Sequence, residues 1–339
     1  MAWLTTLGAL LLAVALCSGV VLLAGKSPLE AGKALLQGAT GVELQFSPFQ
    51  YKFSSVRLTQ SLLKTIPLIM TGLSVALAFR AGFFNIGAEG QFLLGAITCA
   101  GIATKLGQPL PWVLAGGALA GALWALIAGL LKTRRGAPEI ITTIMLNYIA
   151  LRLVEFAVHG PLQETADLPQ PRTDMLPEEA QMPILLANTP LHAGLVVALL
   201  CAAACWWLLF RTERGFLLRA VGAGPVASKA HGIRVEANVL FTVALCGALS
   251  GLGGAMEVAG VTKQMTPNGF DYGYTAIAVA LLARLSPLAV VPAALLFGML
   301  SAGGGAMERN TGVPAVTVSI ISAIVICMIA VLPRLKKSQ

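Results

Sequence analysis

The chain has 339 residues, of which 57% are hydrophobic and only 11% are charged. A soluble domain carries about 25% charged residues, so the composition excludes an ordinary soluble protein and points to a polytopic α-helical membrane protein. The net charge of +8 gathers at the ends of apolar runs, in the positive-inside manner rather than as a nucleic-acid surface.

The first apolar run, "MAWLTTLGALLLAVALCSGVVLLAG", lacks a basic leader and is too long for a signal peptide, so it is read as a span over 3–24. Leu16 before Cys17 is too large for a lipoprotein cleavage site. A loop over 25–58 follows. Further spans are expected at 60–79, 86–104, 111–131, 139–158, 190–210, 237–260, 272–284, 286–304 and 314–332. That makes about ten transmembrane helices in an all-α fold. The span 272–284 is short. A β-barrel is not expected, because the apolar runs are continuous and do not alternate.

Charges orient the set. "KTRR" at 132–135, the five cations of 211–234 and the tail "RLKKSQ" share one side, read as cytoplasmic, with both termini there. The loop 159–189 carries Glu164, Asp167, Asp174, Glu178 and Glu179 against Arg172, which places it outside. The loop 25–58, with Lys26, Lys33, Lys52 and Arg57, would also be external and breaks the charge rule. Pro111 to Pro138 and Pro287 to Pro314 both span 27 positions, preceded by comparable segments at 83–96 and 269–283. The expectation is a single transmembrane domain over 1–339, with halves of five spans at 1–158 and 190–333. Five spans per half makes the repeat inverted, with broken or short helices.

Three segments carry polar chemistry inside apolar surroundings. "AGFFNIGAEGQFLLGA" (81–96) holds Asn85, Glu89 and Gln91. A buried carboxylate is costly unless paired or hydrated. On a helix, Asn85 and Glu89 would share a face, with Arg80 near enough to neutralise Glu89. Either the patch lines a translocation path, or it pins two helices together. "PEIITTIMLNYIALR" (138–152) adds Thr143, Asn147 and Tyr148, suited to path lining or to interhelical hydrogen bonds. "NGFDYGYTAIAVALL" (268–282) gathers Phe270, Asp271, Tyr272 and Tyr274, where aromatic faces stack on planar solutes and a carboxylate accepts donors. An interfacial aromatic belt is the plainer alternative.

Other signals lead nowhere. The six cysteines lie in apolar runs without a CxxC, and His159, His192 and His231 are scattered, so no metal site is expected. Gly222-x-Gly224-x-x-Ala227 lacks the strand that a dinucleotide fingerprint needs. "LLAGKS" fails as a phosphate loop because five residues, not four, separate Gly19 from Gly25. The chain is expected to be no enzyme, to have no cofactor and to hydrolyse no ATP. A short helix over 219–233 suits docking on a cytoplasmic partner.

Three stretches together resemble the permeases of ATP-binding cassette (ABC) importers in the branched-chain amino acid and simple-sugar superfamily: "PLIMTGLSVALAFRAGFFNIGAEGQFLLGA" (67–96), "GAPEIITTIMLNYIA" (136–150) and "RGFLLRAVGAGPVASKAHGI" (214–233). Within it they are similar to the nucleoside-importer group that works with a basic-membrane-protein type lipoprotein. The resemblance implies a subunit of the bacterial cytoplasmic membrane. It implies a cytoplasmic ATPase that uses ATP and Mg, a second permease in a heterodimer, and an external substrate-binding lipoprotein, but no nucleic acid. It also implies that the loop 211–236 couples to the ATPase, with Arg219, Gly222, Pro225, His231 and Gly232 as candidates. The loop departs from the family in having Gly224-Pro225 and Ala227-Ser228 where Asn-Pro and a double Ala are usual. A sugar or branched-chain amino acid importer is the alternative within the class. An ion-coupled secondary transporter, with Glu89 and Asp271 as coupling carboxylates, is the alternative outside it.

Overall fold

The computed structural model describes residues 15–46, 49–164, 171–314, 320 and 323–324. Most of the span expected at 3–24 and of that at 314–332 lies outside the described residues. The elements in chain order are α1 (Pro28–Thr40), β1 (Val42–Phe46), β2 (Phe49–Phe53), α2 (Ser55–Arg80), α3 (Ala88–Lys105), α4 (Leu110–Arg135) and α5 (Glu139–His159). Then follow α6 (Gly194–Arg211), α7 (Glu213–Ala223), α8 (Pro225–Ala230), α9 (Val235–Glu257), α10 (Tyr272–Leu282) and α11 (Pro287–Thr311). A π-helical turn, Val258–Thr262, continues α9.

Among the described residues, α2, α4, α5, α6, α9 with its π turn, and α11 are long and apolar enough to cross a membrane. Of the ten or so spans expected, six are met by these helices. Of the remaining candidates, α10 has 11 residues and α3 has 18 with a polar start. The all-α expectation needs one correction. The loop expected at 25–58 contains α1 and an antiparallel hairpin that pairs Val42 with Phe53 and Phe46 with Phe49. "VELQF" alternates apolar and polar residues with period two, a strand signal that a search for long apolar runs passes over.

The chain forms two compact units. In the unit of residues 1–65, 188–190 and 295–339, Val21, Ala31, Ala34, Met307 and Val313 form a buried apolar cluster. In the unit of residues 66–187 and 191–294, the 66–78 stretch of α2 is buried on all sides. By contrast, α4, α5 and α6 leave large apolar side chains exposed, as lipid-facing helices do. Glycines bring α3, α4 and α9 into backbone contact. A Cβ on Gly95 would stand 2.1 Å from the carbonyl oxygen of Gly251, and one on Gly121 2.3 Å from that of Gly247. Only small residues allow helices in a bilayer to approach this closely.

The ends of this unit differ. At one, Lys132 at the last turn of α4 donates to Glu139 Oε1 at 2.6 Å and to the Gly82 carbonyl at 3.3 Å. At the other, Lys105 at the end of α3 pairs with Asp174 at 3.2 Å. There the segment 171–187 lies across the π turn. Met182 N–H donates to the Ala259 carbonyl at 2.9 Å, and Leu176 N–H to that of Lys263 at 2.9 Å. The acidic loop is therefore ordered over its described part.

The helix expected over 219–233 is instead two helices, α7 and α8, broken at Gly224-Pro225. Pro225 has no N–H to donate and disfavours helical backbone in the residue before it. Gly224 is accordingly extended, with φ −168°. Thr212 caps α7 by accepting from Gly215 N–H at 3.1 Å.

Candidate functional site

The chain leaves α2 at Arg80 and does not become helical again until Ala88. Asn85 therefore does not share a helix face with Glu89. Its Oδ1 accepts from Gly87 N–H at 3.0 Å, which turns the chain into α3. Its amide also exchanges bonds with Gln91: Nδ2 donates to Oε1 at 3.2 Å, and Gln91 Nε2 donates to Asn85 Oδ1 at 3.0 Å. Both amides are buried and satisfied by each other.

Helix α3 begins well inside the unit. The Ala88 carbonyl accepts from Ser250 Oγ at 2.6 Å, and Ser250 lies about 22 Å along α9 at 1.5 Å per residue. The open start of α3 is covered by α5. Asn147 Oδ1 accepts from Gly90 N–H at 2.8 Å, while its Nδ2 donates to the Ile86 carbonyl at 3.0 Å. Thr143, one turn earlier on the same face, is also buried.

Glu89 is 3% exposed. Its Oε1 accepts from the N–H groups of Phe270 at 3.1 Å and Asp271 at 2.9 Å, and its Oε2 from Gly273 N–H at 2.7 Å. These are the amides at the start of α10, where free N–H groups and the helix dipole favour negative charge. The starts of α3 and α10 touch here. A Cβ on Gly273 would come within 2.2 Å of the Glu89 nitrogen. The carboxylate is thus held by backbone donors. Arg80, expected as its partner, lies instead against the Phe210 ring, 5.2 Å from the centroid.

The aromatic residues divide. Phe270 and Tyr272 stack at 6.2 Å and both meet Phe92, at 5.4 and 5.6 Å. Tyr272 is buried, and its hydroxyl donates to Glu257 Oε1 at 3.3 Å. Asp271 is exposed and held in the left-handed region at φ 60°. Tyr274 is 42% exposed, and its hydroxyl accepts from Asn147 Nδ2 at 3.4 Å. Tyr148 is 58% exposed. So Asn85, Glu89, Gln91, Asn147 and Tyr272 are buried and hydrogen-bonded in separate sets, Phe270 is half-buried, and Tyr148, Asp271 and Tyr274 present free surface.

The sequence reading passed over Glu257 and Ser250, which tie α9 to Tyr272 and to the Ala88 carbonyl. Glu257 had a signal, a lone carboxylate at the end of an apolar run. Ser250 had none among the small residues of "GALSGLGGAME".

Of the coupling candidates, Gly222 packs on the end of α2: a Cβ there would stand 2.1 Å from the Arg80 carbonyl oxygen. Arg219 lies 5.3 Å from the Phe210 centroid. Pro225 opens α8, while His231 and Gly232 are exposed in the turn after it. Pro225, Val226, Lys229, Ile233, Val235 and Ala237 line an open groove of about 510 Å³.

The chain is 36% identical to the guanosine ABC transporter permease protein NupP of Bacillus subtilis (strain 168) over 333 residues, covering 95% of this chain and 91% of that one. It is 37% identical to the glucose ABC transporter permease protein TsgB13 of Haloferax volcanii over 289 residues, covering 80% and 76%. It is 35% identical to the nucleoside ABC transporter permease protein NupB of Lactococcus lactis subsp. cremoris over 279 residues, covering 78% and 76%. No solved structure matches it. The family described as "Branched-chain amino acid transport system / permease component" matches residues 57–331, and with several long apolar helices across that range the chain belongs to this family of multi-pass membrane permeases.

Proposed function

We propose that the chain is the membrane subunit through which an ABC importer carries a nucleoside. One observation carries the site reading: the two polar segments meet at Glu89 and the start of α10, with Asp271, Tyr274 and Tyr148 exposed beside the junction. In this reading the buried polar groups fix the backbone, and the exposed groups meet the solute. Tyrosine faces stack on a planar base, and the Asp271 carboxylate accepts sugar hydroxyls. The names of the guanosine and nucleoside relatives support that substrate class.

The remaining assignments follow from the same reading. Ten spans form one permease domain of two inverted halves in the bacterial cytoplasmic membrane, with both termini inside. A second, related permease subunit completes the path, and an external lipoprotein delivers the solute. A separate cytoplasmic ATPase consumes ATP with Mg and docks on α7 and α8. The groove at Pro225 and the 83% exposed Val226 support that docking.

The test is uptake of labelled guanosine into proteoliposomes that hold the chain with its partner permease, ATPase and binding lipoprotein. Uptake should require ATP and should be competed by other nucleosides. Asp271→Asn should raise the concentration for half-maximal uptake by about tenfold, the loss of one charge-assisted hydrogen bond of ~1.5 kcal/mol. The glucose relative, at 37% identity, favours a second reading as a sugar permease. Competition by glucose without competition by nucleosides would establish that reading instead.

A further inference from the structure

At the basic end of the second unit, two arginines from different helices share one aromatic ring. Arg80 ends α2, and its guanidinium carbon lies 5.2 Å from the Phe210 centroid. Arg219, on α7, lies 5.3 Å from the same centroid. Both are half-buried, and they are near enough for their positive charges to repel each other. One turn before Phe210 on α6, Trp206 carries a third guanidinium, that of Arg211, at 5.6 Å.

None of the three has a carboxylate within ion-pair range among the described residues. The neighbouring cation Lys132 has one, Glu139. The arrangement is also held firmly. Thr212 donates to the Leu208 carbonyl at 2.6 Å while capping α7, and Gly222 of α7 rests on the Arg80 carbonyl. Like charges held together in this way leave a standing electrostatic cost that an anion between them would relieve. The planar fork of arginine matches phosphate oxygens two at a time.

The position indicates where the phosphate comes from. Arg80 and Arg211 are the last residues of two helices long enough to span the bilayer, so they stand at headgroup depth. Exposed Trp207 and Phe216 flank them, as aromatic side chains do at a membrane surface. We propose that Arg80 and Arg219, with Arg211 beside them, bind the phosphate of an anionic phospholipid headgroup. The bound lipid would clamp α7 to the ends of α2 and α6.

The test uses the full chain purified in detergent, titrated separately with phosphatidylglycerol, phosphatidylcholine and free glycerol 3-phosphate. Adduct retention is read by native mass spectrometry and the unfolding midpoint by thermal melts. Phosphatidylglycerol should be retained and should raise the midpoint, with phosphatidylcholine much weaker. The pair Arg80→Gln with Arg219→Gln should weaken phosphatidylglycerol retention by about thirtyfold, two interfacial cations being lost. The pair Arg134→Gln with Arg135→Gln, which removes equal charge at the end of α4, should change it little. Arg80→Lys with Arg219→Lys guards against misfolding, since it keeps the charge and should fall in between. Equal retention of both lipids, or equal loss in both glutamine pairs, overturns the site. Equal binding of free glycerol 3-phosphate overturns the lipid as its source. Unchanged lipid retention with lost ATPase assembly assigns the arginines to a partner's carboxylates.

Discussion

Glu89 shows how a carboxylate persists in an apolar fold without a cation. Three backbone N–H groups meet its two oxygens at 2.7 to 3.1 Å, so its acceptors face donors that the start of α10 must place somewhere. Glu89→Gln sets an NH₂ group against one of these donors, because an amide offers a single acceptor oxygen. The variant should lose about 2–3 kcal/mol, measured as a lower unfolding midpoint in detergent, and transport should fall with it. A variant with an unchanged midpoint and reduced transport would make Glu89 a path residue rather than a pin. His192, just before α6, is the other buried ionisable group with a clear consequence. Burial lowers its pKa from 6.5 to about 4, and its Nδ1 accepts from Gly194 N–H at 3.1 Å. The neutral form belongs to the folded state, so its contribution is full above pH 6.5 and is lost as pH falls toward 4. His192→Gln should flatten the decline of the melting midpoint across that window. The sequence marked Glu89 as expensive but could not name its partners, because backbone N–H groups have no letter of their own. It paired Glu89 with Arg80 because a charge was visible nearby.

At the scale of elements, the contact between α7 and the end of α2 joins the proposed coupling region to the polar segment that follows Arg80. Gly222 and Gly232 both stood out in the sequence, and the structure separates them. A Cβ on Gly222 would meet the Arg80 carbonyl at 2.1 Å, backbone against backbone, where neither side yields easily. Gly232 has open space around it and needs glycine only for its φ of 80°. Gly222→Ala should force α7 away from α2 and raise the ATP consumed per nucleoside imported by about tenfold or more, an overpacking cost of ~1–3 kcal/mol. Gly232→Ala should cost about 1–2 kcal/mol locally and leave that ratio near the wild-type value. Equal ratios in the two variants would mean that the Gly222 contact transmits nothing. Most long helices were legible because twenty apolar residues in a row have few other uses. The break at Gly224-Pro225 was legible in principle, since proline disfavours helix in the residue before it, yet the small residues on both sides suggested one helix. α1 and the hairpin went unseen because they are short and amphipathic inside a stretch read as a loop.

For the molecule as a whole, the question is what drives movement. An ion-coupled carrier needs a carboxylate in the path that gains and loses a proton or a metal ion as the path opens to each side. Among the described residues of the second unit, Glu89 is committed to backbone donors, Glu257 accepts from Tyr272, and Glu139 accepts from Lys132. That leaves Asp271, exposed at the start of α10, as the one candidate site carboxylate with open surface. A lone exposed carboxylate lacks the buried partner groups with which an ion-coupled carrier holds a proton or sodium ion. Proteoliposomes holding the chain and its partner permease, without an ATPase, should therefore show no nucleoside uptake under an imposed proton or sodium gradient. Adding the ATPase, ATP and the binding lipoprotein should start it. Gradient-driven uptake abolished by Asp271→Asn would reverse this conclusion and make Asp271 the coupling group of a secondary carrier.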